Sequence, residues 1–190
     1  MEILNSNAIT DRKSLPIKVM QFGGGNFLRA FVDISIQKIN NATTFNAGVA
    51  VIKPTARGDY QELKSQDGLF SVQLEGYENN IFVQDLTVVN CIQKVINPYS
   101  EWQKYIDLSK TPELRFIISN TTEAGIVFNS DDAFDHTPPK EFPAKLTVWL
   151  FHRFTHFNGA LDKGCILLPV ELIDKNGEAL KQCILQYADH

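Results

Sequence analysis

Cysteine is scarce: Cys91, Cys165 and Cys183 are the only three in 190 residues, an odd number without a CxxC spacing. That suits reduced, buried thiols in a cytoplasmic protein better than a disulfide framework or a thiol zinc site. Long apolar runs are also lacking. No stretch reaches the roughly 18 residues of a membrane span, and the opening segment MEILNSNAITDRKS has no basic start followed by an apolar block. Neither membrane insertion nor export is expected. Positive charge is not in excess, since 18 Lys and Arg face 22 Asp and Glu for a formal net charge of −4. Without a summed basic field, nucleic acid and anionic lipid are not expected as partners.

Bulky apolar residues are plentiful instead. Hydrophobic residues make up 44% of the chain, 13 of them Phe, enough for a sizeable core at this length. Glycine and proline, 11 and 8 residues, stay far below disordered or collagen-like usage. With about 150 residues per typical domain, one domain with an appendage is expected.

Short apolar runs alternate with longer amphipathic ones. Ile17 to Phe22 (IKVMQF) follows Pro16 and stops at three glycines, the boundaries of a buried strand. From Asn26 to Ile39, Phe27, Phe31, Ile34 and Lys38 share one side, with Leu28, Val32, Ser35, Ile36 and Ile39 beside it. This broad apolar face predicts a helix ended by Asn40 and Asn41. Ala47 to Ile52 predicts a second strand, parallel to the first, within the roughly 30 residues of a βαβ unit. Leu69 to Leu74 and Ile81 to Cys91 flank a turn-forming stretch, Glu75 to Asn80, so an antiparallel hairpin is expected at the sheet's edge. Further helices are expected over Tyr99 to Leu108, Phe142 to Phe157 and Gly177 to Tyr187, and strands over Leu114 to Ser119 and Cys165 to Leu168. The expected fold class is α/β: a doubly wound, mostly parallel Rossmann-type sheet with an inserted antiparallel β-hairpin.

The segment QFGGGNFLRAF lies between the first strand and the first helix, where a phosphate-binding turn must lie. Glycines at 23, 24 and 25 permit positive φ and let a pyrophosphate approach without meeting a Cβ, and the free amides opening the helix supply donors. The cofactor turn is therefore assigned to Phe22, Gly23, Gly24, Gly25, Asn26, Phe27 and Arg29. The pattern reads GxGxxL, with Leu28 in the third glycine's place, and a tight turn that binds nothing is the alternative. No GK[ST] follows, so a P-loop is excluded. The acid that commonly ends the second strand and bonds the adenosine ribose is missing; Lys53 and Arg57 stand there instead. Cations there suit a 2′-phosphate, the pyrophosphate or solvent, so residue chemistry leaves NAD and NADP open.

Ligands of open α/β sheets sit beyond the carboxyl ends of strands. Asn120, Thr121 and Thr122 follow one strand and are expected to hold the ribose or carboxamide of a nicotinamide, with Glu123 near the substrate; an N-cap and turn is the alternative. Glu171 and Asn176, after the next strand, are candidates for the substrate cleft, although turn chemistry also explains DKNG. His152 and His156 have the i, i+4 spacing of a metal pair but no third ligand nearby, so no metal is expected. His136 lies in an acidic, Pro-ended loop that reads as a solvated loop or a flap over the cleft. Phe151, Phe154 and Phe157 read as core.

Five segments, QFGGGNFLRAFVD, QDGLF, ELRFIISNTTEAGI, FPAKLTVWLFHRFTHFNGALDKG and LPVELIDKNGEALKQCILQYA, together resemble the mannitol dehydrogenase family of long-chain polyol and uronate oxidoreductases, on the uronate side. Where polyol members read closer to CDN, this chain has Val170, Glu171 and Leu172, so the Asn that holds the substrate oxygen there is replaced by Leu172. The resemblance implies NAD as cofactor and NAD-linked reduction of a keto sugar acid, D-tagaturonate to D-altronate, in hexuronate breakdown. It further implies that residues 1–190 are the NAD-binding domain and that the catalytic lysine, with Asn and His partners in a KxxxxNxxH arrangement, belongs to a helical C-terminal domain. No KxxxxNxxH occurs in this chain, so the expectation is a binding domain inactive by itself, its oligomeric state undetermined. A stand-alone NAD(P)-binding sensor is the alternative.

Overall fold

The computed structural model describes Leu4 and residues 12–122 and 124–190. β1 (Ile17–Phe22) lies in the middle of a parallel five-stranded sheet. After the glycine turn the chain makes a π-helical segment, Leu28–Asp33, that runs directly into α1 (Ile34–Ala42) and returns through β2 (Gly48–Ile52) alongside β1. A short α2 (Gln61–Ser65) leads to the antiparallel pair β3 (Phe70–Glu78) and β4 (Ile81–Val89). β5 (Ile92–Ile96) then joins the far side of β2. α3 (Trp102–Asp107) crosses back to β6 (Phe116–Ser119) on the other side of β1, and α4 (Phe142–His156), β7 (Ile166–Pro169) and α5 (Asn176–Asp189) follow. The sheet order is β5-β2-β1-β6-β7. Strand order reverses between β1 and β6, and the crevice beyond their carboxyl ends is where such sheets take ligands.

Each face of the sheet carries its own core. Met20, Phe22, Ile117, Leu146 and Trp149 belong to one, roofed by α3, α4 and α5; Val19, Val49, Val51, Leu28 and Val32 belong to the other, under α1 and the hairpin root. Every residue of β2 is buried, the continuous apolar run that a strand covered on both faces requires. Pro143 sits in the first turn of α4, where a missing N–H costs no helical bond. Arg153 is buried near the helix end and donates to the carbonyls of Ser109, Thr111, Leu114 and Lys163 at 2.7–3.1 Å, tying α4 to the chain entering β6.

Four departures from the sequence reading have local causes. The hairpin forms its own two-stranded sheet, because β5 occupies the sheet edge; polar Gln93 and Lys94 interrupt the apolar run and hide that strand in the sequence. The turn shrinks to Asn79 and Asn80, with φ of 51° and 64°, since a two-residue hairpin turn needs left-handed conformation at both positions and Asn tolerates it. The first helix begins in π form, which accommodates an additional residue in the turn. It buries Asp33 and Gln37 and leaves Phe27 and Phe31 49% and 59% exposed, stacked at 5.4 Å. Finally, Phe151 and Phe154 are not core. They are 52% and 68% exposed and line a groove of about 530 Å³ with Phe134, Leu150, Ile184 and Tyr187.

Candidate functional site

The glycine turn is held from below. Gln21, wholly buried at the end of β1, donates through Nε2 to the Gly23 carbonyl at 3.2 Å and to Asp33 Oδ2 at 3.3 Å. Gly23 N bonds the Ile52 carbonyl at 3.0 Å and Asn120 N bonds the Phe22 carbonyl at 3.1 Å, so the ends of β1, β2 and β6 are locked together. Gly23 has φ +115°, and a Cβ there would lie 2.9 Å from both the Asn120 carbonyl and Leu28 Cδ1. Only glycine fits. At Gly25 an added Cβ meets nothing within 4 Å, so the space above it is open to a ligand.

A cleft of about 310 Å³ opens over this turn. Gly23, Gly24 and Gly25 form its floor, Pro54, Thr55 and Tyr60 one wall, and Asn120, Thr121, Thr122 and Gly125 the other; Lys140, Glu141 and Phe142 at the start of α4 close the end. The groove between α4 and α5 is larger, but it is apolar and lies away from the strand ends. Position at the switch point, not size, picks the cleft.

The side chains assigned from sequence separate into lining, supporting and distant groups. Gly23, Gly24, Gly25, Thr121 and Thr122 line the cleft, as does Asn120, whose Nδ2 also donates to the Val170 carbonyl at 2.8 Å. Phe22 does not: its ring is fully buried against Phe142 and Tyr105, at 4.7 and 6.0 Å. Asn26, Phe27 and Arg29 lie on the helix beyond the cleft, Arg29 bonding Asn26 Oδ1 at 2.6 Å and lying over the Phe70 ring at 5.6 Å. Lys53 turns inward. It is buried, donates Nζ to the Thr55 carbonyl at 2.5 Å and lies 5.5 Å from the Tyr99 ring centre, and burial lowers its pKa against the opposing charge of Asp59. Arg57 is exposed and outside the lining.

Glu171 and Asn176 support the cleft from behind. Glu171 is 5% exposed, and its Oε1 accepts from Thr121 N at 3.1 Å and Thr121 Oγ1 at 3.3 Å. Asn176 Nδ2 donates to the carbonyls of Pro169 and Glu171 at 2.8 and 3.1 Å, binding the start of α5 to the end of β7. Glu123 lies outside the described residues. Leu172 is 86% exposed next to this network. His152 and His156 are exposed, and no cluster of three or more metal-ligating side chains occurs among the described residues. No described helix is long and apolar enough to cross a membrane, and the three cysteines are free.

Sequence reading missed Tyr60 and the Lys140–Phe142 wall. Tyr60 precedes α2, which is too short to show a period; its ring underlies Gly24 and its pKa is raised by burial, against the lowering effect of a hydrogen bond with the Gly24 backbone. The loop around His136 reaches the cleft only at its end, where Asp132 accepts from the amides of Lys140 and Glu141 at 2.5 and 2.7 Å. Behind that wall Lys145 is fully buried. Nζ donates to the Lys140 carbonyl at 2.6 Å, and burial lowers its pKa to about 8, with Asp132 and Glu141 opposing and Lys53 reinforcing the shift. Lys145 therefore braces the wall and does not face the cleft.

A parallel sheet with this strand order, a glycine turn after its central strand and a cleft at the switch point define a Rossmann-type domain. Residues 17–190 match the family model described as the mannitol dehydrogenase Rossmann domain, and the chain belongs to that family. It is 47% identical over 191 residues to the altronate oxidoreductase of Yersinia enterocolitica, covering 100% of this chain and 39% of the relative. Against the altronate oxidoreductase of Escherichia coli O1:K1 the identity is 47% over 174 residues, 91% of this chain and 36% of the relative. The chain thus spans about two fifths of the length of the curated relatives it matches. Among solved structures, the mannitol 2-dehydrogenase of Pseudomonas fluorescens, a ternary complex with NAD and D-mannitol, shares the fold with a TM-score of 0.79 at 18% identity, over 98% of this chain and 42% of that one. A D-sorbitol dehydrogenase in substrate-free form gives the same TM-score at 16% identity, over 99% of this chain and 43% of that one.

Proposed function

We propose that residues 1–190 are the NAD-binding domain of an oxidoreductase that interconverts D-tagaturonate and D-altronate in the cytoplasm. One observation carries the reading: an open cradle above Gly25, at the carboxyl ends of β1 and β6, in a chain 47% identical along its whole length to altronate oxidoreductase. The residues present fit a dinucleotide. Gly25 leaves room for the pyrophosphate, and the first turn of the helix offers amides without intrahelical acceptors at its positive end. Asn120, Thr121 and Thr122 supply polar groups on the β6 side for the nicotinamide half, and Pro54, Thr55 and Tyr60 wall the β2 side for the adenosine half.

NADH, when bound, supplies the hydride. The proton is a separate requirement, since the alkoxide formed from a ketone needs a general acid within hydrogen-bond reach. Among the described residues the ionisable side chains lining the cleft are Tyr60, Lys140 and Glu141, and the buried Lys145 is committed to the Lys140 carbonyl. Tyr60 is held against the Gly24 backbone, and Lys140 and Glu141 lie at the end of the cleft; with this chain matching 39% of its relative's length, the proton donor and the sugar-acid site are assigned in this reading to the rest of the family's longer chain. Fluorescence titration with NADH tests the reading, alongside turnover of tagaturonate by the same protein. Binding without turnover is expected. Failure to bind NADH refutes the assignment, and turnover at about 1 to 10³ per second refutes the placement of the donor outside this chain.

A further inference from the structure

Sequence reading placed Glu171 in the substrate cleft, yet its carboxylate is buried and its bonds run to Thr121. We propose that Glu171 is a positioning residue that fixes the polarity of the Thr121 hydroxyl, making it an acceptor-only contact that takes a hydrogen-bond donor of the ligand and turns away an acceptor or a methyl in the same place. This inference rests on the dinucleotide reading above and, of that ligand's donors on the β6 side, assigns the carboxamide NH₂ of nicotinamide to Thr121.

A hydroxyl carries one donor proton and two acceptor lone pairs, and Glu171 Oε1 is an acceptor, since it takes the Thr121 backbone N–H at 3.1 Å. With Glu171 Oε1 at 3.3 Å, the Thr121 proton is committed to Glu171. The face of Oγ1 turned to the cleft then offers lone pairs alone. Three further features prevent the arrangement from rotating away. The same Oε1 accepts the Thr121 backbone N–H at 3.1 Å, so side chain and main chain of Thr121 are clamped by one atom. Asn176 holds the Glu171 carbonyl, and Asn120 holds the Val170 carbonyl, which fixes the two chain segments against each other. Gly125 closes the remaining side, where a Cβ would lie 2.1 Å from Thr121 Oγ1; no residue larger than glycine leaves the hydroxyl in place. Glu171 Oε2 is buried and has no partner among the described residues. Turn formation alone requires no buried carboxylate with one oxygen left bare, a costly arrangement. Fixing the direction of the Thr121 proton gives the carboxylate, through Oε1, a role at the cleft.

Affinity for two reduced dinucleotides tests the inference: NADH and its 3-acetylpyridine analogue, in which a methyl replaces the NH₂ and the carbonyl remains. Isothermal titration of the 190-residue protein is expected to show NADH bound about fivefold to tenfold more tightly, the worth of one hydrogen bond. Thr121→Val is expected to bring the two affinities together, whereas Thr121→Ser keeps the gap. Glu171→Gln, which still offers an oxygen to both Thr121 donors, keeps it too. Glu171→Met frees the hydroxyl to donate and is expected to abolish the gap while NADH still binds. A merely structural Glu171 would weaken both ligands equally in Glu171→Met and preserve the ratio, and that result overturns the inference, as does equal binding of both ligands by the parent protein. Binding of neither ligand by the parent protein overturns the dinucleotide reading itself, and this inference with it.

Discussion

Replacing Asp33 by asparagine isolates the cost of keeping a carboxyl group beneath the glycine turn. Asp33 is completely buried in the π-helical segment; Oδ2 accepts from Gln21, and Oδ1 has no partner among the described residues. Burial raises its pKa from 3.8 to about 7, against the opposing effects of the Gln21 hydrogen bond and the Arg29 charge. Below about pH 4 the folded and unfolded chains both hold the proton, and stability is unaffected. Between there and neutrality the folded chain keeps a proton that the unfolded chain releases, so stability falls as pH rises; above about 7 the loss is constant. At 1.36 kcal/mol per pH unit, the interval from 3.8 to about 7 corresponds to about 4 kcal/mol. The Asp33→Asn side chain would be neutral throughout, and its amide could donate to Gln21 Oε1, an atom also without a partner among the described residues. Urea unfolding of both proteins between about pH 4 and pH 8.5 is expected to give curves that meet at the acid end. The variant should gain by roughly 1.4 kcal/mol per pH unit until neutrality. Parallel curves across the whole range would refute the burial argument, because no other titrating group differs between the two proteins.

The glycine turn gives a second pair of outcomes: Gly25→Val should weaken NADH binding at least about tenfold with an unchanged melting temperature, since its side chain meets only ligand space. Gly23→Ala should lose about 1–3 kcal/mol of stability in thermal unfolding, because it combines a positive φ with contacts at 2.9 Å. Lys53→Met is expected to leave NADP affinity within about twofold and the preference for NAD intact in dinucleotide titrations, since one hydrogen bond is worth more than that and Nζ is committed to the Thr55 carbonyl. A sharp fall confined to NADP would place Lys53 on a 2′-phosphate instead. Arg153→Met should cost about 3 kcal/mol or more in unfolding free energy, the loss of charge-assisted bonds to four buried or half-buried carbonyls. NADH affinity should stay unchanged in that variant, as the cluster lies at the opposite end of β6 from the cleft.

The strands that meet at the cleft were legible because burial on both faces favours apolar runs, unbroken in GVAVI and interrupted in IKVMQF only by Lys18 and Gln21, and because Pro16 and three glycines bound the latter. The glycine turn was legible because its position between strand and helix carries the chemistry. β5 was not, because an edge strand tolerates Gln93 and Lys94 in its middle. Tyr60 and the Lys140–Phe142 wall were invisible for a different reason: they reach the turn from about 35 and 115 residues away, through the sheet order and the Asp132 clamp, which no local pattern encodes. Charge misled at Lys53 and Glu171. A cation or acid just after a strand reads as a ligand contact, but both side chains are buried and bonded to the cleft's own backbone. Only packing decides whether such a group faces inward or outward.

The apolar anchoring of the β3–β4 hairpin is confined to its root, and part-way along, among the described residues, only the exposed Lys38–Asp85 ion pair, at 4.0 Å, reaches it from α1. Phe70, Val72 and Val89 at its root are buried, whereas Tyr77, Ile81, Phe82 and Leu86 toward its tip are exposed, although the ladder continues from Phe70↔Val89 to Glu78↔Ile81. A two-stranded ribbon without a buried face is marginally stable in water. Amide protons near the tip will therefore exchange with solvent deuterium through fraying that costs little, and those at the root only when the body of the domain opens. Read residue by residue, the ribbon becomes a graduated scale along which local opening gives way to global unfolding.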